Sequence, residues 1–453
     1  MSRTKLLTFS AALLAPWLLT SAVAAPDTDN FGPTAAVTIG NSDGVTAKAL
    51  NSFDISFVEP AIGLFVLGDR TNNAIDMVDT HSNAFLGFCG HGQFTGAVLN
   101  ANGTVNNNVS GPDGVLIRDN REIWAGDGNS TVKVFDVAGC GATTLPTHTI
   151  ATGTPADNRA DEMCYDPVDQ LVMVANNAAA TPFATLISTI FYAPLKKISF
   201  TQSTNGAEQC VWSPRTGLFY ITVPGIETPD NGHGQVVVIN PATLAVQTTF
   251  DIPLANCAAP QGMAVGPNHD ILVGCNGSGS KTQSSVIIDE RNGKILATVA
   301  NESGPDEVWF NPGNNHYFLA RSSAANGLQA LGIIDAGTRV ADTGIQTGAP
   351  INNPPSLHPA AHSVAADSVT GKTFWAIPGD PPPAPQGPTP FGLCSIAGGN
   401  DAMGCILVVT GQNDGDDTTT AKKGNGPKNC VAQGAPAMEV SGGEAKHLKV
   451  SCN

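Results

Sequence analysis

Seven polar residues head seven similar stretches of a 453-residue chain: Asp54, Asp113, Asp161, Glu208, Gln261, Asp306 and His362. Successive members stand 59, 48, 47, 53, 45 and 56 residues apart. Brought together, five carboxyls, an amide and an imidazole make an oxygen-rich set suited to a hard divalent cation. Asp54, Asp113, Asp161, Glu208, Asp306 and His362 are the candidate ligands. Ca²⁺ is the first choice, with Mg²⁺ or, through His362, Zn²⁺ as alternatives. Without a cation, so many clustered carboxyls must take up protons or stay hydrated. The plain alternative is a polar, water-filled channel rim. Glu162, Gln209 and Glu307 come directly behind three of the seven.

The stretches that carry these residues share one design. A-D-E-M-C-Y-D-P at 160–167 and P-D-E-V-W-F-N-P at 305–312 show it. A small residue, proline or aromatic comes first, then the polar residue, an apolar run and a turn. A second apolar run follows, as in L-V-M-V-A-N at 171–176. A third ends in Asp or Asn, as in Q-V-V-V-I-N at 235–240. Several copies add a fourth, such as V-Q-T-T-F-D-I at 246–252. Short β-branched runs bounded by Gly, Pro, Asn and Asp are strands. Four per repeat, at this repeat length, predict an all-β fold: a seven-bladed β-propeller of four-stranded blades. The last copy lacks an obvious fourth strand, and Thr34–Gly40 precedes the first copy. An N-terminal strand is therefore expected to close the ring.

In a propeller the first strand of every blade starts at one mouth of the central channel, so the seven polar residues converge there. The same face is expected to carry His91, the loop Asn176–Phe183, Asp230 and His233 of T-P-D-N-G-H-G, and His358. Insertions at 175–190 and 224–234 are expected to wall a pocket over the mouth. Such a face suits a small-molecule ligand or a protein partner.

Composition agrees with a turn-rich β-protein: 49 Gly and 32 Pro, 13% charged and 42% hydrophobic residues. Residues 1–25 combine a basic start, an apolar run and small residues at the end, as a signal peptide does. The expected location is secreted or periplasmic. Cleavage would remove Arg3 and Lys5 and move the net charge from −16 to −18. An acidic surface disfavours nucleic acid, and no later run is long enough to span a membrane. The propeller is expected over 26–410, with a Pro-rich insertion at 380–400 and a Gly-rich tail at 411–453. All ten cysteines lie beyond the signal. Placement suggests the pairs Cys257–Cys275, Cys394–Cys405 and Cys430–Cys452. No C-x-x-C, G-x-S-x-G, H-E-x-x-H, Walker or dinucleotide-binding pattern is present.

The stretch G-Q-V-V-V-I-N-P-A-T-L-A-V-Q-T-T-F-D-I-P at 234–253 resembles the repeat unit of bacterial secreted β-propellers of the YVTN/NHL type. The resemblance covers about residues 34–410. It implies the fold and leaves function open, since that group includes binding proteins, surface proteins and some enzymes. A cation at the mouth would also be similar to the gluconolactonase- and paraoxonase-type propellers. That likeness implies a metal-dependent hydrolase of lactonase or esterase type; it carries over no catalytic residues, and from the chemistry of this ring the candidates are His362 and Asp306. Those families have six blades and use Asn beside Asp and Glu as ligands, and this chain matches neither feature. The leading expectation is a secreted ligand- or metal-binding propeller, with the hydrolase as its alternative.

Overall fold

The computed structural model describes residues 30–226, 233–276, 284–322, 330–346, 361–379 and 392–411. Seven antiparallel sheets form a ring, giving a seven-bladed β-propeller. Blade 1 runs Ser56–Glu59, Leu64–Asp69, Ala74–Asp79 and Ala84–Cys89 from channel to rim. Blades 2 to 5 repeat this order. In blade 6 the outermost position is split into two short strands, Val340–Ala341 and Ile345–Gln346. The first strands touch one another around the channel, blade 7 against blade 1 included.

Burial explains why these sequences form strands of this kind. Middle strands such as Leu171–Asn176 and His316–Arg321 are buried along their whole length. They are covered on both faces and therefore read as continuous apolar runs rather than alternating ones. Outer strands such as Ala245–Ile252 are mostly exposed. Seven apolar clusters fill the fold, one at each junction between neighbouring blades. Leu64, Val66, Ile75 and Met77 of blade 1 face blade 2, while Phe65, Leu67, Ala74 and Val78 face blade 7. This is the two-residue period of a strand applied to two cores. No blade holds a core of its own, so the stack is the unit that folds.

The Asp or Asn that ends many third strands closes a turn. Asp79 Oδ1 accepts from the amides of His81 and Ser82, Asn240 Oδ1 from Ala242, and Asp289 Oδ1 from Arg291. An Asx side chain bonded two residues ahead fixes the reversal into the outer strand.

Closure is made by Phe31–Val37, which pairs antiparallel with Cys405–Gly411 and completes blade 7. It starts three residues earlier than expected. Phe31 packs edge-on against His316 at 4.9 Å and Phe318 at 5.4 Å, which extends the strand toward its N-terminus. The expected insertion at 175–190 is in fact a hairpin, because Phe183–Ser188 is the third strand of blade 3.

Four disulfides join described cysteines. Cys257–Cys275 and Cys394–Cys405 are as expected. Cys89–Cys140 and Cys164–Cys210 are additional, and they staple blade 1 to blade 2 and blade 3 to blade 4. Cys430 and Cys452 lie outside the described residues. Among the described residues no helix is long and apolar enough to cross a membrane.

Candidate functional site

Each of the seven polar residues sits just ahead of, or inside, an irregular start of a first strand. The amides of Asp54, Asp113, Asp161 and Glu208 bond to Gly68, Gly126, Ala175 and Thr222 at the end of the second strand of their own blade. In blades 5 and 6 the register shifts across Gln261 and Asp306. Such bulges re-aim a side chain, here toward the channel mouth. The backbones come close enough to select glycine next to two of these positions. A Cβ on Gly114 would lie 2.1 Å from Asp161 O, and one on Gly262 would lie 2.7 Å from Asp306 O.

The mouth is asymmetric. Asp54, Asp113 and Asp161 are buried, and each offers a carboxylate oxygen within 4.8 Å of the others. His362 joins them, with Nε2 3.1 Å from Asp54 Oδ1 and its ring stacked on Phe53 at 5.1 Å. Glu208, Gln261 and Asp306, on blades 4 to 6, are only half-buried. Blades 7, 1, 2 and 3 thus form a closed arc, and blades 4 to 6 an open one.

Two arginines that the repeat does not announce sit in the closed arc. Arg70 Nη2 lies 2.5 Å from both Asp54 Oδ2 and Asp113 Oδ1, and Nε lies 2.9 Å from Asp113 Oδ1. Arg159 reaches Asp161 Oδ2 at 2.7 Å. Asn107 roofs the arc, its Oδ1 accepting from Arg70 at 3.4 Å and its carbonyl from Arg159 at 3.1 Å. It stands on the long connection between blades 1 and 2, which is pinned where Gly96 and Gly111 exchange backbone bonds. The first repeat spacing, 59 residues and the widest of the six, was the sequence signal for this insertion. Arg159 stands two residues before Asp161, and that nearness was its only signal. Asn177, from the loop expected over the mouth, accepts from Arg159 Nε at 3.2 Å and lies 3.5 Å from Glu208. His91 is exposed. Asp230 and His358 lie outside the described residues.

Both arginines together leave the carboxyls in excess. Burial pushes the Asp161 carboxyl up to about 7 against the pull of Arg159. Burial, then Asp306 and Asp161, push Glu208 up to about 8. Burial also raises Asp113 despite Arg70, and raises Asp306 against His362. At Asp54 burial works upward, but Arg70, the His362 hydrogen bond and Arg159 prevail and hold the carboxyl well below its ordinary range. The group therefore shares protons at neutral pH, as like charges in one buried site must. One buried oxygen, Asp113 Oδ2, has no hydrogen-bond partner. An all-oxygen donor set, a surplus of carboxyls and an orphaned buried oxygen fit a hard cation.

No protein-family model matches the chain, and no curated protein sequence does. Solved structures are similar in fold. Hydrazine synthase of Kuenenia stuttgartiensis aligns over 74% of this chain and 96% of its own, with TM-score 0.54 and 13% identity. A chain of the mitotic checkpoint complex aligns over 89% of this chain and 98% of its own, with TM-score 0.53 and 9% identity. At these identities the likeness is one of fold, and the class it defines together with the ring of blades is the β-propeller.

Proposed function

We propose that this protein is an exported binding propeller whose channel mouth takes up a divalent cation. Asp54, Asp113 and Asp161 would hold it. The observation that carries this reading is the unpartnered, buried Asp113 Oδ2 within a triad of converging carboxylates. Ca²⁺ is the favoured ion, because His362 is engaged with Asp54 and the remaining donors are hard oxygens. A bound cation would supply positive charge where protons otherwise sit. The open arc of Glu208, Gln261 and Asp306 is where a small ligand or a partner's group would reach the mouth. Export is supported by the signal-like N-terminus and by four disulfides, which persist in oxidising compartments. The YVTN/NHL-type resemblance belongs to the same proposal.

Binding is favoured over hydrolysis at the residue level. A hydrolase needs a base that faces an accessible water. Of the expected catalytic pair, Asp306 is half-exposed, whereas His362 is buried, stacked on Phe53 and bonded to Asp54.

The test is elemental analysis of protein purified without chelator, with calorimetric Ca²⁺ titration of the wild type, Asp113→Asn and Asp161→Asn. A stoichiometric metal, with affinity lowered about tenfold or more in each variant, is expected from the loss of one charged ligand. Unchanged affinity in both variants would remove the site. Turnover of lactones or esters by the loaded protein, abolished in Asp306→Asn, would shift the assignment to the hydrolase.

A further inference from the structure

Behind the polar ring, toward the opposite end of the channel, the first strands surround a second space that is open to solvent. It is a cavity of about 510 Å³, in the size range of small-molecule sites. Phe57, Tyr165, Trp212 and Trp309 stand in its walls, and Glu162 and Glu307 line it nearest the ring. Blade 7 contributes no lining residue, because its first strand is the short Val364–Ala366. Phe57 of blade 1 and Trp309 of blade 6 meet edge-to-face at 5.3 Å across that gap. The result is an aromatic-walled vestibule with carboxyls at its inner end.

One acid lining this space lacks a protein partner. Glu162 is 5% exposed, and its carboxyl makes no hydrogen bond or ion pair with any described residue. The neighbouring groups are already committed. Glu307 Oε2 accepts from Ser363 Oγ at 2.8 Å and from the Val364 amide at 2.9 Å. Gln209 spends its amide on the backbone of Met263 and Val308. The Tyr165 hydroxyl goes to Asp119. A largely buried carboxyl without a protein partner, walled by aromatic rings, is left free to accept from a ligand.

The make-up of the lining selects the ligand class. No Lys or Arg lines the cavity, whereas Glu59 and Asp119 line it as well as Glu162 and Glu307. Aromatic faces add attraction for a cation. We propose that the cavity binds a small aromatic amine. Its ammonium sits at Glu162, and its ring packs among Phe57, Tyr165, Trp212 and Trp309. The site uses none of the triad residues, although Glu162 adjoins Asp161 in the chain.

The test compares tyramine with tyrosol, which replaces the ammonium by a hydroxyl and keeps the ring. Calorimetry and tryptophan fluorescence on the full mature chain provide the readout, since Trp212 and Trp309 lie in the wall. Tyramine is expected to bind one-to-one and about tenfold or more tighter than tyrosol, the scale of one charge-assisted hydrogen bond. Glu162→Gln, checked for unchanged melting, should erase that preference while tyrosol binding stays as it was. Asp113→Asn should leave tyramine binding intact, which separates this site from the mouth. Failure of tyramine to saturate, equal binding of the two probes, or an unchanged preference in Glu162→Gln would each overturn the proposal.

Discussion

Arg70 shows how one side chain decides the state of the channel mouth. Its guanidinium spans two buried carboxylates from adjacent blades, Asp54 and Asp113. Removing one partner of a buried ion network leaves charge without compensation, which costs about 3–5 kcal/mol. Arg70→Met should lose that much in urea unfolding. The double variant Arg70→Met/Asp113→Asn should lose less, because it removes one of the stranded acids. If the double variant is no more stable than the single one, the loss comes from packing and not from charge. The seven ring positions were legible because the repeat writes them at one place in each blade. Arg70, Arg159 and Asn107 were not. Arg70 directly follows a second strand, Arg159 precedes a first strand and Asn107 stands in a connection, so no repeated position marks them. A ring read from repeats alone therefore looks more negative and more open than the folded mouth.

At the scale of elements, periodicity carried the strand order, and covalent bonds supply what periodicity does not show. Strand runs such as Gly234–Asn240 are readable because β-branched residues sit between turn-forming ones. The start of the closing strand was missed by three residues, because Phe31 is held by blade 6 aromatics distant in sequence. Disulfide pairing behaves in the same way. Cys257–Cys275 lies within one blade and could be guessed, whereas Cys164–Cys210 depends on which first strands become neighbours. Cys164–Cys210 closes a span of 46 residues and Cys257–Cys275 one of 18. On loop-closure entropy the first contributes about 4 kcal/mol and the second about 3 kcal/mol. The first also ties two blades together along the channel. Cys164→Ser/Cys210→Ser should therefore lower the unfolding midpoint more than Cys257→Ser/Cys275→Ser. The reverse order would mean that the blade 3–4 junction is held by its apolar cluster alone.

For the whole molecule, the ring concentrates acidic groups that the unfolded chain would disperse, and this ties stability to pH. Asp161 moves from an ordinary 3.8 to about 7, and Glu208 and Glu307 move from 4.5 to about 8, with burial the first cause in each case. Between about pH 4 and pH 8 the folded protein therefore binds more protons than the unfolded chain. The stability these groups contribute is fully present below their ordinary values and is lost as pH rises through the folded ones. Asp54, held low, acts in the opposite sense, but only in acid below its ordinary 3.8. In chelator, melting temperature should fall as pH is raised from about 5 to about 8.5. Glu307→Gln should flatten part of that fall, because its acid titrates in this window. Saturating Ca²⁺ should flatten more, since a cation at the triad replaces the protons that Asp161 and its neighbours would otherwise hold. The same exchange makes Ca²⁺ affinity rise across this window, with protons released on binding. A fall that Ca²⁺ leaves unchanged would show that the carboxyls of the mouth titrate without meeting a cation. The ring would then be a proton-sharing closure of the channel.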